Sequence, residues 1–188
     1  TFSRRATPET SKPPPSSGSA TLTDLRVEVE PEKFVLLEAV ARAGNALGVR
    51  WVLTGAGGRI YLLEKLGGLP PGRATEDLDF GVMVQSWNEY QALKDRICHD
   101  GRFHEDVRQS QRLWFGEEAK LDLVPFGAIA SPHESVRWPM EDGVVMNVLG
   151  FQEASDHAVT LTVNGILQVP VATAQAMLLL KLIAWEDR

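Results

Sequence analysis

Between Pro31 and Leu47 the segment PEKFVLLEAVARAGNAL sets Phe34, Leu37, Val40 and Ala41 at helical spacing. One apolar stripe therefore runs along a predicted helix, which Gly48 is placed to end. A short apolar run at residues 51–53 reads as a buried strand leading into TGAGG. Residues 59–66 read as a second helix, closed by Gly67 and Gly68. After the loop LPPGRA the period shortens to two. In DLDFGVMV, Leu78, Phe80, Val82 and Val84 fill one side, and Asp77 and Asp79 share the other, because successive side chains of a strand alternate faces. Ser86 is an N-cap for a helix from Trp87 to Cys98. Beyond Gly101 the alternation of Phe103, Val107, Leu113 and Phe115, followed by KLDLVPF at residues 120–126, predicts antiparallel strands. Asn164-Gly165, between apolar runs at 160–163 and 166–169, is the favoured two-residue hairpin turn. Thr173 then caps a last helix with Ala176, Met177, Leu180 and Ile183 on its apolar side. Helices and strands alternate, so the predicted class is α/β (α+β) with a mixed sheet flanked by helices.

Composition narrows the picture. The chain has 188 residues, with 44% hydrophobic and 23% charged, enough for one ordinary domain with a core. Residues 1–20, TFSRRATPETSKPPPSSGSA, carry hardly any apolar side chain and are expected to form a disordered Pro/Ser-rich tail. They lack an initiator Met, which is compatible with a processing remnant. The pattern of the last helix runs into AWEDR without a stop signal, so a further segment is expected beyond it. A single cysteine, Cys98, excludes an internal disulfide, and no apolar h-region opens the chain. The expected location is cytoplasmic, with no membrane partner. Nineteen basic against 25 acidic residues give a formal charge of -6, which argues against a general nucleic-acid coat.

The candidate chemistry lies where carboxylates gather. Asp77 and Asp79 on one side of a strand repel, so they read either as a solvated strand edge or as a metal site. Asp122, flanked by Leu121 and Leu123, faces away from the apolar side of its own strand. It reads as a third carboxylate, or as a surface acid paired with Lys120 or an arginine. Gly57 and Gly58 stand between a strand and a helix, where backbone N–H groups and the helix dipole favour phosphate. Tight packing is the alternative use of two glycines, and the turn is neither a GxGxxG nor a Walker motif. Three carboxylates beside a phosphate-binding turn would hold two divalent metals that align an attacking hydroxyl with phosphorus. Of His99, His104, His133 and His157, none has metal-ligand spacing to another. The five tryptophans read as packing residues.

With those residues in place, the segments LTGAGGRIYLLEKLGG, GRATEDLDFGV, LDLVPF and LLLKLIAWEDR together resemble the nucleotidyltransferase superfamily with the DNA polymerase β-like palm. Within it the resemblance is to the group containing AbiEii-type toxins of bacterial toxin–antitoxin systems, and it covers most of residues 51–188. The resemblance implies metal ligation by Asp77, Asp79 and Asp122, with Mg or Mn as the ion. It also implies NTP binding by Gly57, Gly58, Arg73, Thr75 and Lys181. The implied reaction moves a nucleoside monophosphate from an NTP to a hydroxyl of RNA, such as a tRNA 3′ end, or of a protein. A toxin would have a cognate antitoxin protein as partner. Transfer to an aminoglycoside antibiotic is the enzymatic alternative, and an inactive palm serving as a binding module is the non-enzymatic one. Two departures stand out. Gly58 replaces the Ser that some members carry, and the family's further Lys-Asp helix has no counterpart before Arg188. The expected organisation is thus a tail at 1–20 and a nucleotidyltransferase domain at 21–188 lacking that last helix.

Overall fold

The computed structural model describes residues 25–72, 75–139 and 145–187; the expected tail and Arg73 lie outside them. Helix α1 (Pro31–Leu47) begins with Pro in its first turn and ends where Gly48 turns left-handed at φ 69°. Its buried side includes Leu36, Leu37 and Val40. Strand β2 (Arg50–Thr54) follows, a residue longer at each end than expected. The next helix departs from expectation. Helix α2 (Gly55–Arg59) starts directly after the strand and continues as a π-helical stretch, Ile60–Leu66. Gly57 and Gly58 therefore lie inside the helix and not ahead of it. A Cβ on Gly57 would stand 2.5 Å from Leu78 Cδ2, and one on Gly58 3.2 Å from Met177 Sδ. Close approach of α2 to its neighbours overrides the poor helix propensity of glycine.

Strand β3 (Asp77–Met83) leads to α3 (Trp87–Cys98). There the Ser86 hydroxyl accepts the Glu89 N–H at 3.3 Å, and the Glu89 carboxylate accepts the Gln85 N–H at 2.6 Å. These two bonds satisfy donors that the helix start leaves open. The alternating region forms the antiparallel run β4 (Phe103–Glu105), β5 (Arg112–Phe115) and β6 (Ala119–Phe126). Val107, read with that alternation, is instead 98% exposed in the connection between β4 and β5. The hairpin of β9 (Val159–Val163) and β10 (Leu167–Val171) turns at Asn164 and Gly165, both at positive φ. Four elements were not foreseen: β1 (Arg26–Val27), the separate pair β7 (Ser135–Arg137) and β8 (Val145–Asn147), and α4 (Phe151–Asp156). Each is short, with too few residues to show a period.

The main sheet has eight strands in the order β1-β9-β10-β2-β3-β6-β5-β4. Pairing is mixed, because β1 with β9, β10 with β2, and β3 with β6 run parallel and the rest antiparallel. Leu36, Leu37 and Val40 of α1 pack in one core with Leu53, Phe80, Val82, Leu121, Leu123 and Leu161 of the sheet. A smaller cluster, Val52, Ala154 and Ala172 with Ala176, Met177 and Leu180, joins α4 and α5 (Ala174–Glu186) to the sheet. Gly81 of β3 lets Phe151 come close enough that a Cβ would stand 2.7 Å from the ring. The expected apolar set of α5 is its half-buried side, whereas Leu178, Leu179, Leu182 and Trp185 are exposed. No helix among the described residues is long and apolar enough to cross a membrane.

Candidate active site

The register of three neighbouring strands assembles the carboxylates. Strands β3 and β6 pair in parallel with Asp77 opposite Lys120 and Asp79 opposite Asp122. Strand β5 then places Arg112 opposite Asp122 and Trp114 opposite Lys120. Paired residues of neighbouring strands present their side chains on the same face of the sheet. One face thus carries Asp77, Asp79, Asp122, Lys120 and Arg112 over the start of β3, where β2 ends. The turn out of β2 closes the cluster from the other side. Gly55 has φ 59°, and a Cβ there would fall 1.9 Å from Asp79 Oδ2. Only glycine gives both the left-handed backbone and the room for that carboxylate. The Ala56 N–H donates to the Asp79 carboxylate, and the Thr54 hydroxyl donates to the Asp79 carbonyl at 3.2 Å.

Charge at the cluster is only partly balanced. Burial pushes the Asp79 carboxyl up to about 6, reinforced by the like charges of Asp122 and Asp77 and opposed by the Ala56 N–H and Arg112. Asp122 is held by a two-point fork: Arg112 Nε donates to Oδ1 at 2.8 Å and Nη2 to Oδ2 at 2.7 Å. The same Nη2 lies 3.8 Å from Asp77 Oδ2, and Lys120 Nζ lies 3.4 Å from Asp77 Oδ1. The hydrogen bonds to Asp122 in turn hold the guanidinium above its ordinary value. Lys120 also stands 5.5 Å over the Trp114 ring, whose indole N–H donates to Asp106 at 2.7 Å. Among the described residues Arg112 and Lys120 pair with Asp77 and Asp122, Lys33 also acts electrostatically on Asp77, and no cation forms an ion pair with Asp79.

Of the residues singled out in the sequence, the fold brings Asp77, Asp79, Asp122 and Thr75 together. The Thr75 hydroxyl accepts the Asp77 N–H at 3.3 Å and so fixes the start of the strand. Gly57 and Gly58 are buried in α2 with the packing contacts described above. Lys181 is exposed on α5 and makes no ion pair with a described residue. Arg73 falls outside the described residues. The reading of the sequence missed Gly55, Ala56 and Arg112. A glycine immediately after a buried strand was the available sign for Gly55. Nothing local marks Arg112, because its place opposite Asp122 depends on a strand register ten residues away. An arginine does pair with Asp122, and it is Arg112.

Whether the residues suit a divalent ion depends on free oxygens. Asp77 and Asp79 offer hard carboxylate donors from one face, which is the donor chemistry of Mg or Mn. Both oxygens of Asp122 are engaged by Arg112. Among the described residues, no group of three His, Cys, Asp or Glu side chains is arranged to hold a metal. The carboxylate chemistry of Asp77 and Asp79 thus suits a hard divalent ion, which would have to displace Lys120 and Arg112 from Asp77, and Asp122 would join only with Arg112 moved off it.

The large mixed sheet flanked by helices has the fold of nucleotidyltransferase structures. No protein-family model matches the chain, and no curated protein does. Among solved structures it is similar to ANT(2″)-Ia in complex with adenylyl-2″-tobramycin, with 14% identity, a TM-score of 0.52, and coverage of 83% of this chain and 78% of that one. It is also similar to the lincosamide antibiotic adenylyltransferase LnuA bound to lincomycin, with 19% identity, a TM-score of 0.49, and coverage of 80% and 84%. A CCA-adding enzyme in complex with CTP matches over 52% of this chain and 21% of its own, with 15% identity and a TM-score of 0.37. At 14% identity the likeness to ANT(2″)-Ia establishes a common fold.

Proposed function

We propose that this protein is a divalent-metal-dependent nucleotidyltransferase that moves a nucleoside monophosphate from an NTP to a hydroxyl of a small cationic acceptor of the aminoglycoside type. The carrying observation is the register of Asp79 against Asp122, with Asp77 two residues away and the Gly55 turn beside them. Clustered acids at the mouth of a strand-to-helix turn are what phosphoryl chemistry with a bound cation requires.

In this reading Asp77 and Asp79 hold the ion, and Asp122 completes the set when its oxygens are free. The bound ion, Mg or Mn, supplies charge neutralisation for the phosphates and acidifies the acceptor hydroxyl. The chain's own residues do the positioning. The triphosphate lies along residues 55–58, since the first turn of a helix leaves N–H groups without intrahelical acceptors. Arg73, Thr75 and Lys181 are the further residues assigned to the nucleotide in this reading, on the resemblance of their motifs. The acceptor oxygen bonds to the α-phosphorus, the bond to the bridging oxygen of the β-phosphate breaks, pyrophosphate leaves and the hydroxyl proton passes to solvent. The cationic acceptor is favoured by the formal charge of -6, which attracts cations and repels polyanions. A solved structure of the same fold that carries adenylyl-2″-tobramycin supports the same class.

The test is transfer of label from each α-labelled NTP, with Mg, into an aminoglycoside pool, total RNA and whole-cell protein. Asp77→Ala serves as control. Label in the aminoglycoside pool, lost in the variant, is the expected result. Label in RNA or protein instead replaces this acceptor with the toxin-type one and makes a cognate antitoxin the next partner to seek. Absence of transfer together with absence of metal-dependent nucleotide binding would identify an inactive palm used as a binding module.

A further inference from the structure

Arg112 occupies an unusual position for a surface ion pair. Its side chain is 15% exposed and that of Asp122 14%, so the pair is largely shielded from water. Its Nη2 lies 2.7 Å from one oxygen of Asp122 and 3.8 Å from one oxygen of Asp77. Those two carboxylates come from neighbouring strands, and the guanidinium nitrogen fills the space between them. A divalent ion that drew on both Asp77 and Asp122 would compete with the guanidinium for those oxygens. Lys120 is the weaker competitor, because it makes one contact of 3.4 Å to the other oxygen of Asp77 and spreads its charge over Trp114.

We propose that Arg112 is a built-in counter-cation that competes with the divalent ion for Asp122, so that release of the Arg112–Asp122 fork sets the metal affinity of the site. The inference rests on the metal-dependent reading above and adds to it a positioning residue. Two features of the fold support a releasable contact. Arg112 is the first residue of β5, where the strand is flanked by a loop, so its side chain is not locked between two long strand segments. Asp106, held in place by the Trp114 indole, also acts electrostatically on Arg112, so a second carboxylate attracts the guanidinium.

The prediction follows from charge. Replacing Arg112 by Gln removes the cation bound to Asp122 and frees both of its oxygens. Mn binding to the nucleotide-free protein, read by the loss of the free-ion electron paramagnetic signal, is expected to tighten at least about tenfold in Arg112→Gln. Arg112→Lys keeps the charge and loses the fork, so it is expected to fall between the two. The gain must pass through Asp122. In the Asp122→Asn background, Arg112→Gln is expected to give little further tightening, which makes the four proteins a double-mutant cycle. Thermal melts identify variants that remain folded, and Arg112→Lys carries the test if Arg112→Gln does not fold.

Unchanged or weaker Mn binding in Arg112→Gln, with binding still abolished by Asp77→Asn, overturns the role of Arg112 and leaves the metal site standing. Tightening of equal size with and without Asp122 also overturns it, because the effect would then be general charge and not release of that carboxylate. Mn binding that ignores Asp77→Asn overturns the metal-dependent reading itself.

Discussion

Replacing Asp79 by Asn probes the cluster without metal or substrate. Asn has nearly the same shape and keeps an oxygen to accept the Ala56 N–H, so the substitution removes charge and little else. The folded-state carboxyl stands at about 6 against an ordinary 3.8. Two units correspond to about 3 kcal/mol at 1.36 kcal/mol per unit. The sign is set by the direction of the shift. A raised value means that the folded state binds its proton more tightly than the unfolded chain, so stability is fully present below 3.8 and lost as pH rises through about 6.

Asp79→Asn does not suffer that loss. In EDTA it should be more stable than wild type by about 1–3 kcal/mol near pH 7.5, and the gap should shrink by about 2 kcal/mol near pH 4. Urea unfolding of both proteins at the two pH values measures the gap directly. Carboxylates with lowered values, such as Glu105 and Asp106, titrate in both proteins and cancel in the difference. An Asn variant less stable than wild type near pH 7.5, or a gap that does not change with pH, would refute the picture of a carboxylate strained by burial and by its two acidic neighbours.

Other substitutions separate packing from chemistry. Gly55→Ala must strain a left-handed residue and displace the Asp79 carboxylate, so it should cost about 1–2 kcal/mol in a denaturation curve and reduce transfer by about a hundredfold or more. Gly57→Ala clashes with the end of the Leu78 side chain and touches Leu53; it should lower the melting temperature while leaving kcat within about tenfold of wild type, since its backbone N–H is retained. Asp77→Ala should nearly abolish transfer yet leave the circular dichroism spectrum unchanged, because Asp77 is partly exposed and at the end of its strand. Lys181→Ala should raise the KM for NTP without altering kcat or stability, as its side chain has no partner among the described residues; an unchanged KM would remove it from the nucleotide site.

Much of the architecture was legible in the chain itself. The stripe of α1, the Ser86 and Thr173 caps, the Asn164-Gly165 turn and the alternation through β3 and β6 are all local patterns, because helix and strand periods are written in neighbouring residues. Those same patterns put Asp77 and Asp79 on one side of a strand. The short elements β1, β7, β8 and α4 carry no such period and became visible only in the fold. The glycines of TGAGG show the limit most clearly: their place after a strand suggested a turn at Gly57 and Gly58 opening the helix, whereas both lie within α2, packed against Leu78 and Met177. The left-handed turn at the carboxylates falls to Gly55.

Asp122 could be named as a third acid from its alternation, but the pairing of β3 with β6 decided that it faces Asp79. The register of β5 decided that Arg112 reaches it first. Periodicity is a property of residues close in sequence, and it fixed the face on which each acid lies. Which strand becomes a neighbour, and in what register, is settled by burying both faces of the sheet at once. The acids of the candidate site were thus a matter of sequence, whereas their neighbours Gly55, Ala56 and Arg112 and the balance of charge were a matter of tertiary structure.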